Sequence, residues 1–144
     1  MGFGEAVTSV RTNLTTFTGR SRRSEFWWWY LFCALVGLGV GIVAGAISGI
    51  MAAIDVPALT WTVGVVLGLA LLALWVYFFI ATLSVAVRRL HDQDKSGLFL
   101  LLAFIPVVGA IVLLVFWLLE GTRGPNQYGA DPRGAVAPGY PAGA

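Results

Sequence analysis

The stretch Arg88-Arg89-Leu90-His91-Asp92-Gln93-Asp94-Lys95-Ser96-Gly97 sets two arginines, a histidine, two aspartates and a lysine between two long runs without charge. Three chemistries could use such a cluster. A metal site is the first, but one histidine and two aspartates are too few donors for zinc. A hydrolytic triad of Ser96, His91 and Asp92 is the second. These residues lie within six positions of one another, with no evident oxyanion donor or apolar pocket. The third is recognition of lipid phosphate by a charged interfacial segment whose side chains also satisfy one another. That reading fits the residue types best. No catalytic residue, metal or cofactor is expected, and the chain is read as a non-enzyme; the His91–Asp92 pair is its one plausible acid–base element. If the helix before the cluster runs one more turn, Arg88, His91, Asp92 and Lys95 share a face, and Asp92 is expected to pair with Arg88 or Lys95. Ser96 and Gly97 then end the turn.

The elements that position this cluster follow from composition. The 144 residues are 58% hydrophobic and only 11% charged, against about 25% charged in a soluble domain. A mean hydropathy of +0.85 is more apolar surface than a chain this small can bury in one aqueous core. The class is therefore an integral membrane protein. The single cysteine, Cys33, excludes an internal disulfide and reads as a packing residue. A net charge of +2 gives no reason to expect nucleic acid.

Uncharged runs cover Phe26 to Ile54, Val56 to Val87 and Gly97 to Leu119. Each exceeds the roughly 20 residues that cross a bilayer, so spans are expected at about 26–51, 60–87 and 97–119. Pro57 and Thr60 place the second helix start near Thr60, leaving Met51 to Leu59 as a short turn. Too many polar and mixed residues precede the first run for it to be a cleaved signal peptide. Arg11, Arg20, Arg22 and Arg23 come before the first span, and Arg88, Arg89 and Lys95 follow the second. By the positive-inside rule the N-terminus is cytoplasmic.

The third run contains Pro106 and Gly109. Proline breaks or kinks a helix, and glycine allows the tight conformation of a reversal. A kinked single span and a re-entrant hairpin both fit. Only the hairpin returns Arg123 and Arg133 to the cytoplasmic side. Towards the N-terminus, Phe3, Ala6, Val7, Val10, Leu14 and Phe17 recur at three- and four-residue steps. They predict an amphipathic helix over about 3–17, either lying in the membrane interface or packing on the bundle as a cap. The Ala, Gly and Pro tail over 134–144 is expected to be disordered. The fold is thus an all-α membrane domain over residues 1–133: a small bundle of three transmembrane helices, the third kinked or re-entrant at Pro106, with an N-terminal amphipathic interfacial helix.

Two further patterns concern packing and anchoring. Arg20, Arg22 and Arg23 precede Trp27, Trp28, Trp29 and Tyr30, a juxtaposition that suits anionic headgroups and the membrane interface. Ser24 is a natural N-cap, and Glu25 in the first turn complements the helix dipole. Gly37, Gly41, Gly45 and Gly49 repeat every fourth residue in the first span, and Gly64 and Gly68 do so in the second. Such faces let backbones approach closely, here favouring packing of the first span on the second over packing between copies. Inside the spans, Ser48, Thr62, Thr82 and Ser84 are the clearly polar side chains, with no Asp, Glu, Lys, Arg or His. Proton relays and ion-coupled carriers need such groups at membrane depth, which argues against transport by the chain alone.

Three blocks together resemble the domain of unknown function 805 family, the YhaH-like bacterial inner-membrane proteins. They are FTGRSRRSEFWWWYLF (Phe17 to Phe32), RRLHDQDKSGLFLLLAFIPVVG (Arg88 to Gly109) and GTRGPNQYGADP (Gly121 to Pro132). The first carries the family's pattern at Phe17, Gly19, Arg20, Arg23, Glu25, Phe26 and Trp27. The second carries it at Arg88, Arg89, Leu90, His91, Asp92, Ser96 and Gly97, and the third at Gly121, Gly124, Asn126, Tyr128, Gly129, Asp131 and Pro132. Leu98, Gln127 and Asp94 depart from it; a tryptophan, an arginine and a glycine are common at those positions. The resemblance implies a small bacterial cytoplasmic-membrane protein and no assigned activity. If the three blocks form one site, all must lie on one membrane face, as the hairpin alternative allows. The expected site is a polar cluster of Arg20, Arg23, Glu25, Arg88, Arg89, His91, Asp92, Lys95, Asn126, Tyr128 and Asp131, binding anionic lipid or a partner, which is another membrane protein or a second copy. The function expected is that of an accessory or scaffold component; the alternative is a subunit of an oligomeric channel or transporter.

Overall fold

The computed structural model describes residues 1–54 and 56–134. Apart from Gly134, the tail expected to be disordered lies outside the described residues. Five helices follow in order: α1 (Phe3–Thr12), α2 (Arg23–Ile54), α3 (Pro57–His91), a 3₁₀ helix (Gly97–Phe104) and α4 (Val108–Leu118). Among the described residues there is no strand, only an isolated bridge between Asn126 and Gly129.

Two helices, α2 and α3, are long and apolar enough to cross a membrane. Their 32 and 35 residues reach about 48 and 52 Å at 1.5 Å per residue, well beyond a hydrocarbon core of roughly 30 Å. Both overrun the expected boundaries. Ser24 sits inside α2 rather than capping it. Pro57 is the first residue of α3, so Met51 to Leu59 is not an open turn. Proline suits that position because its missing N–H would have no intrahelical partner there.

The three-span expectation fails at the third run. It is not one helix but two short ones, of 8 and 11 residues. Each is about 16 Å long at 2.0 Å per 3₁₀ residue and 1.5 Å per α residue, too short to cross. The chain reverses between them, as the hairpin alternative has it. Val108 N–H donates to the Pro106 carbonyl at 2.7 Å, and Val107 takes φ 63° and ψ −61°. That is a γ-turn of the rare, strained kind. The two halves then approach so closely that a Cβ on Gly109 would lie 1.6 Å from the Leu102 carbonyl oxygen. Ser96 starts the 3₁₀ helix, its hydroxyl accepting from Leu98 N–H at 3.3 Å.

The core sits at one end of the helix pair. Val10 from α1, Phe26 and Trp29 from α2, and Ala81, Val85 and Ala86 from α3 form one buried cluster. Cys33 is half-buried against it. Trp29 Nε1 donates to Thr82 Oγ1 at 3.1 Å across the pair, so the start of α2 lies beside the end of α3. Helix α1 ends at Thr12, short of Leu14 and Phe17, and it docks on the bundle through the buried Ala6 and Val10. Ser84 Oγ, from α3, lies 2.9 and 2.7 Å from the carbonyls of Asn13 and Thr16, tying the loop after α1 to α3.

The glycine series does not pack the two spans together. A Cβ at Gly37, Gly41, Gly45, Gly49, Gly64 or Gly68 would meet nothing within 4 Å. The expectation of intramolecular packing through these faces is therefore wrong for a single chain. Close approach falls instead at Gly97, Gly109 and Gly121, in the turns and not in the spans.

Candidate functional site

The polar residues gather in a cap over the core end of α2 and α3. Its hub is Asp92, at the C-terminus of α3 and almost wholly buried. Arg20 contacts Asp92 Oδ1 through Nη2 at 2.9 Å and Nε at 3.0 Å. Arg89 Nη1 contacts Oδ2 at 2.6 Å. A carboxylate buried among apolar residues is costly unless paired and hydrogen-bonded; Asp92 is paired twice.

Arg20 also fixes the C-terminal block. Its Nη1 donates to the Gly124 carbonyl at 2.6 Å and its Nη2 to the Thr122 carbonyl at 2.6 Å. Thr122 N–H in turn donates to the Asp92 carbonyl at 2.8 Å. A planar guanidinium reaches a carboxylate and two separate carbonyls from three different nitrogens; an ammonium, with its three donors on one nitrogen, does not span them in the same way. Arg89 Nη2 donates to the Leu119 carbonyl and Gln93 Nε2 to the Phe116 carbonyl. These contacts pull the end of α4 back beside the end of α3.

A second buried pair docks α1. Arg88 Nη1 meets Glu25 Oε1 at 3.0 Å, and Ser9 Oγ donates to the same oxygen at 3.0 Å. The pairing expected of Asp92 is thus corrected. Its partners are Arg20 and Arg89, while Arg88 takes Glu25 and Lys95 pairs with neither. Lys95 Nζ instead lies 4.8 Å from the centre of the Phe116 ring.

His91 is stacked on Tyr128, ring centroids 3.8 Å apart and planes within 3°. Its Nδ1 faces the Gly19 carbonyl at 3.2 Å, and Asn126 Nδ2 donates to the His91 carbonyl at 2.8 Å. Asp131 accepts from Gly124 N–H at 3.1 Å and from Arg133 Nε at 2.9 Å. The Arg133 guanidinium, with backbone amides, holds the Asp131 carboxyl down at about 2, and the same contact raises Arg133. Arg23, alone among the expected cluster residues in this respect, stays at the rim, 3.9 Å from Glu120, both side chains being largely exposed.

Ten of the eleven expected cluster residues therefore build or flank one packed cap, and all three sequence blocks meet in it. Residues outside the expected set complete it: Ser9, Ser84, Gln93, Thr122 and Gly121. Of these, Gly121 carried a signal, standing first in its block. A Cβ there would lie 1.8 Å from Asp92 Oδ2. Among the described residues, no group of three His, Cys, Asp or Glu could hold a metal.

This arrangement brings together the segments around Arg20, Arg88 and Asn126. A model described as protein of unknown function, DUF805, matches residues 14–130. The chain belongs to the DUF805 family. Inner membrane protein YhaI of Escherichia coli K12 is 40% identical over 125 residues, covering 87% of this chain and 92% of the relative. Inner membrane protein YhaH of the same strain is 33% identical over 124 residues, covering 86% and 93%. No solved structure matches the chain. With two long apolar helices and inner-membrane relatives, this DUF805 chain is a membrane protein. Asp94, one of the residues that depart from the resemblance, holds φ 59°, a left-handed conformation that glycine adopts freely and aspartate tolerates.

Proposed function

We propose that this protein is a non-enzymatic component of the bacterial inner membrane, an accessory or scaffold element that carries a prefolded cationic cap at headgroup level and engages anionic lipid there. In this reading α2 and α3 are the two spans, the N-terminus is cytoplasmic, and the Gly97–Leu118 hairpin dips into the cytoplasmic leaflet. All nine lysines and arginines of the chain then lie on one side, consistent with the positive-inside rule.

The observation that carries the proposal is how the charges are used. Arg20, Glu25, Arg88, Arg89 and Asp92 are buried and ion-paired with one another, although Arg88 Nε and Nη2 and Arg89 Nε find no hydrogen-bond partner among the described residues. An active site would keep an acid or base free towards a cavity. Among the described residues the charges left exposed or half-exposed are positive in excess, Arg11, Arg22, Arg23, Lys95, Arg123 and Arg133 against Glu5, Asp94 and Glu120, a balance that favours anionic headgroups. The channel-subunit reading has less support, because α2 and α3 carry no Asp, Glu, Lys, Arg or His between Phe26–Ile54 and Val56–Val87.

Lipid mass spectrometry on protein purified in mild detergent tests this. Anionic lipid is expected above its share of the parent membrane, with the enrichment falling as salt rises. Copurified lipid of bulk composition would overturn the reading.

A further inference from the structure

Beside the buried network, a cleft of about 240 Å³ opens between the first turn of α2 and the loop after α4. It is smaller than the roughly 300–1,000 Å³ of a site for drug-sized ligands. Arg22, Arg23 and Ser24 line one side, Glu120, Gly121 and Arg133 the other, with Asp92 at the base. We infer that this cleft binds a phosphate group, on a lipid headgroup or as the free anion. The inference rests on the anionic-lipid reading above and assigns it to particular residues.

Donors remain available there. Arg22 uses Nε on the Pro132 carbonyl, and among the described residues its two terminal nitrogens have no partner. Arg133 is turned to Asp131 and to the carbonyls of Gly121 and Thr122 through Nε and Nη2, leaving Nη1. Arg23 reaches Glu120 only at 3.9 Å, beyond hydrogen-bonding distance. The amides of Arg23, Ser24 and Glu25 precede the first bond of α2, from Phe26 N–H to the Arg22 carbonyl, and so add partial positive charge on the same side.

Charge balance points the same way. Both oxygens of Asp92 are taken by Arg20 and Arg89, so Asp92 cannot neutralise the arginines of the cleft. Five arginines (Arg20, Arg22, Arg23, Arg89, Arg133) surround three carboxylates (Asp92, Asp131, Glu120), which leaves a net charge of +2. A phosphomonoester dianion matches that excess. Planar guanidinium forks suit phosphate oxygens. Glu120 is the one carboxylate of the three not buried, and it competes with phosphate for Arg23.

The test uses the full chain in lipid nanodiscs, with Arg22→Gln, Arg23→Gln and Glu120→Gln, whose side chains lie outside the buried network. Calorimetry with inorganic phosphate reads the free-anion arm. Partition of phosphatidic acid against phosphatidylcholine reads the lipid arm. Each arginine variant is expected to weaken binding about tenfold, and Glu120→Gln to strengthen it several-fold, with unchanged melting temperatures. Equal binding by wild type and both arginine variants, or weaker binding by Glu120→Gln, overturns the cleft. Anionic-lipid enrichment that persists in the arginine variants removes the cleft and leaves the broader function standing. Phosphate bound through Arg22 and Arg23 without any preference for anionic lipid keeps the cleft and removes the lipid function.

Discussion

Arg20 and Asp92, 72 residues apart in sequence, are joined by two contacts to a single oxygen, at 2.9 and 3.0 Å, with 1% and 4% of their side chains exposed. A buried pair broken from one side leaves a charge without compensation, at a cost of about 3–5 kcal/mol. Asp92→Asn is therefore expected to lower unfolding stability in detergent by that amount, since Arg89 loses its partner as well. Arg20→Lys keeps the charge but loses the fork, and it should also release the loop after Gly121 to protease. A lysine variant as stable and as protected as wild type would show that charge alone suffices.

The turn glycines and the span glycines should behave oppositely. Gly109→Ala and Gly121→Ala place a Cβ 1.6 and 1.8 Å from an oxygen, and overpacking of this kind costs typically 1–3 kcal/mol or more. Gly41→Ala and Gly45→Ala meet open space and should gain up to about 1 kcal/mol of helix propensity. Thermal unfolding in detergent, with oligomeric state read in parallel, checks both. A loss of stability at Gly41 or Gly45 together with loss of a dimer would mean that these faces pack between copies.

Val107 holds φ 63° at the hairpin reversal, where a β-branched residue is strained by about 1–3 kcal/mol. Val107→Gly is expected to raise stability by roughly 1 kcal/mol, after the entropy that glycine costs. Denaturant unfolding measures it, and a destabilised glycine variant would place the reversal elsewhere.

Acid should loosen the C-terminal block late. Asp131 titrates near 2 in the folded chain, below the ordinary 3.8, chiefly because Arg133 donates to it. A depressed carboxylate contributes stability that is complete above its unfolded pKa and is lost as pH falls through the folded one. Protection of residues 121–134 in hydrogen exchange should thus be flat from pH 7 to about 4 and fall between about 4 and 2. Asp131→Asn should be less protected throughout and lack that fall.

Local chemistry was readable where one segment decides the outcome. Runs without charge marked α2 and α3, and Ser96 and Gly97 marked the end of the polar turn, where the 3₁₀ helix begins in place of a full span. Pro106 and Gly109 marked a break without choosing its form, because that choice depends on what α4 packs against. Ion-pair partners were not readable for the same reason. Helical spacing offered Arg88 or Lys95 to Asp92, whereas Glu25 arrives beside Arg88 only once α2 lies along α3. The glycine series misled because its spacing describes a surface that could admit another backbone, not one that does.

The cap also imposes an order in time. Arg20 is made early, yet its carbonyl acceptor at Gly124 lies 104 residues downstream, which at roughly 5–20 residues per second is a wait of about 5–20 s. Until then Arg20 lacks its carbonyl acceptors and is available to bias how the first helix enters the bilayer. Only when synthesis passes the last block can Arg20 fold inward onto those carbonyls, while Arg23 stays at the rim. The same guanidinium can thus act first as a signal and afterwards as a fastener, and a chain cut short before Gly121 would leave Arg20 without its carbonyl acceptors there.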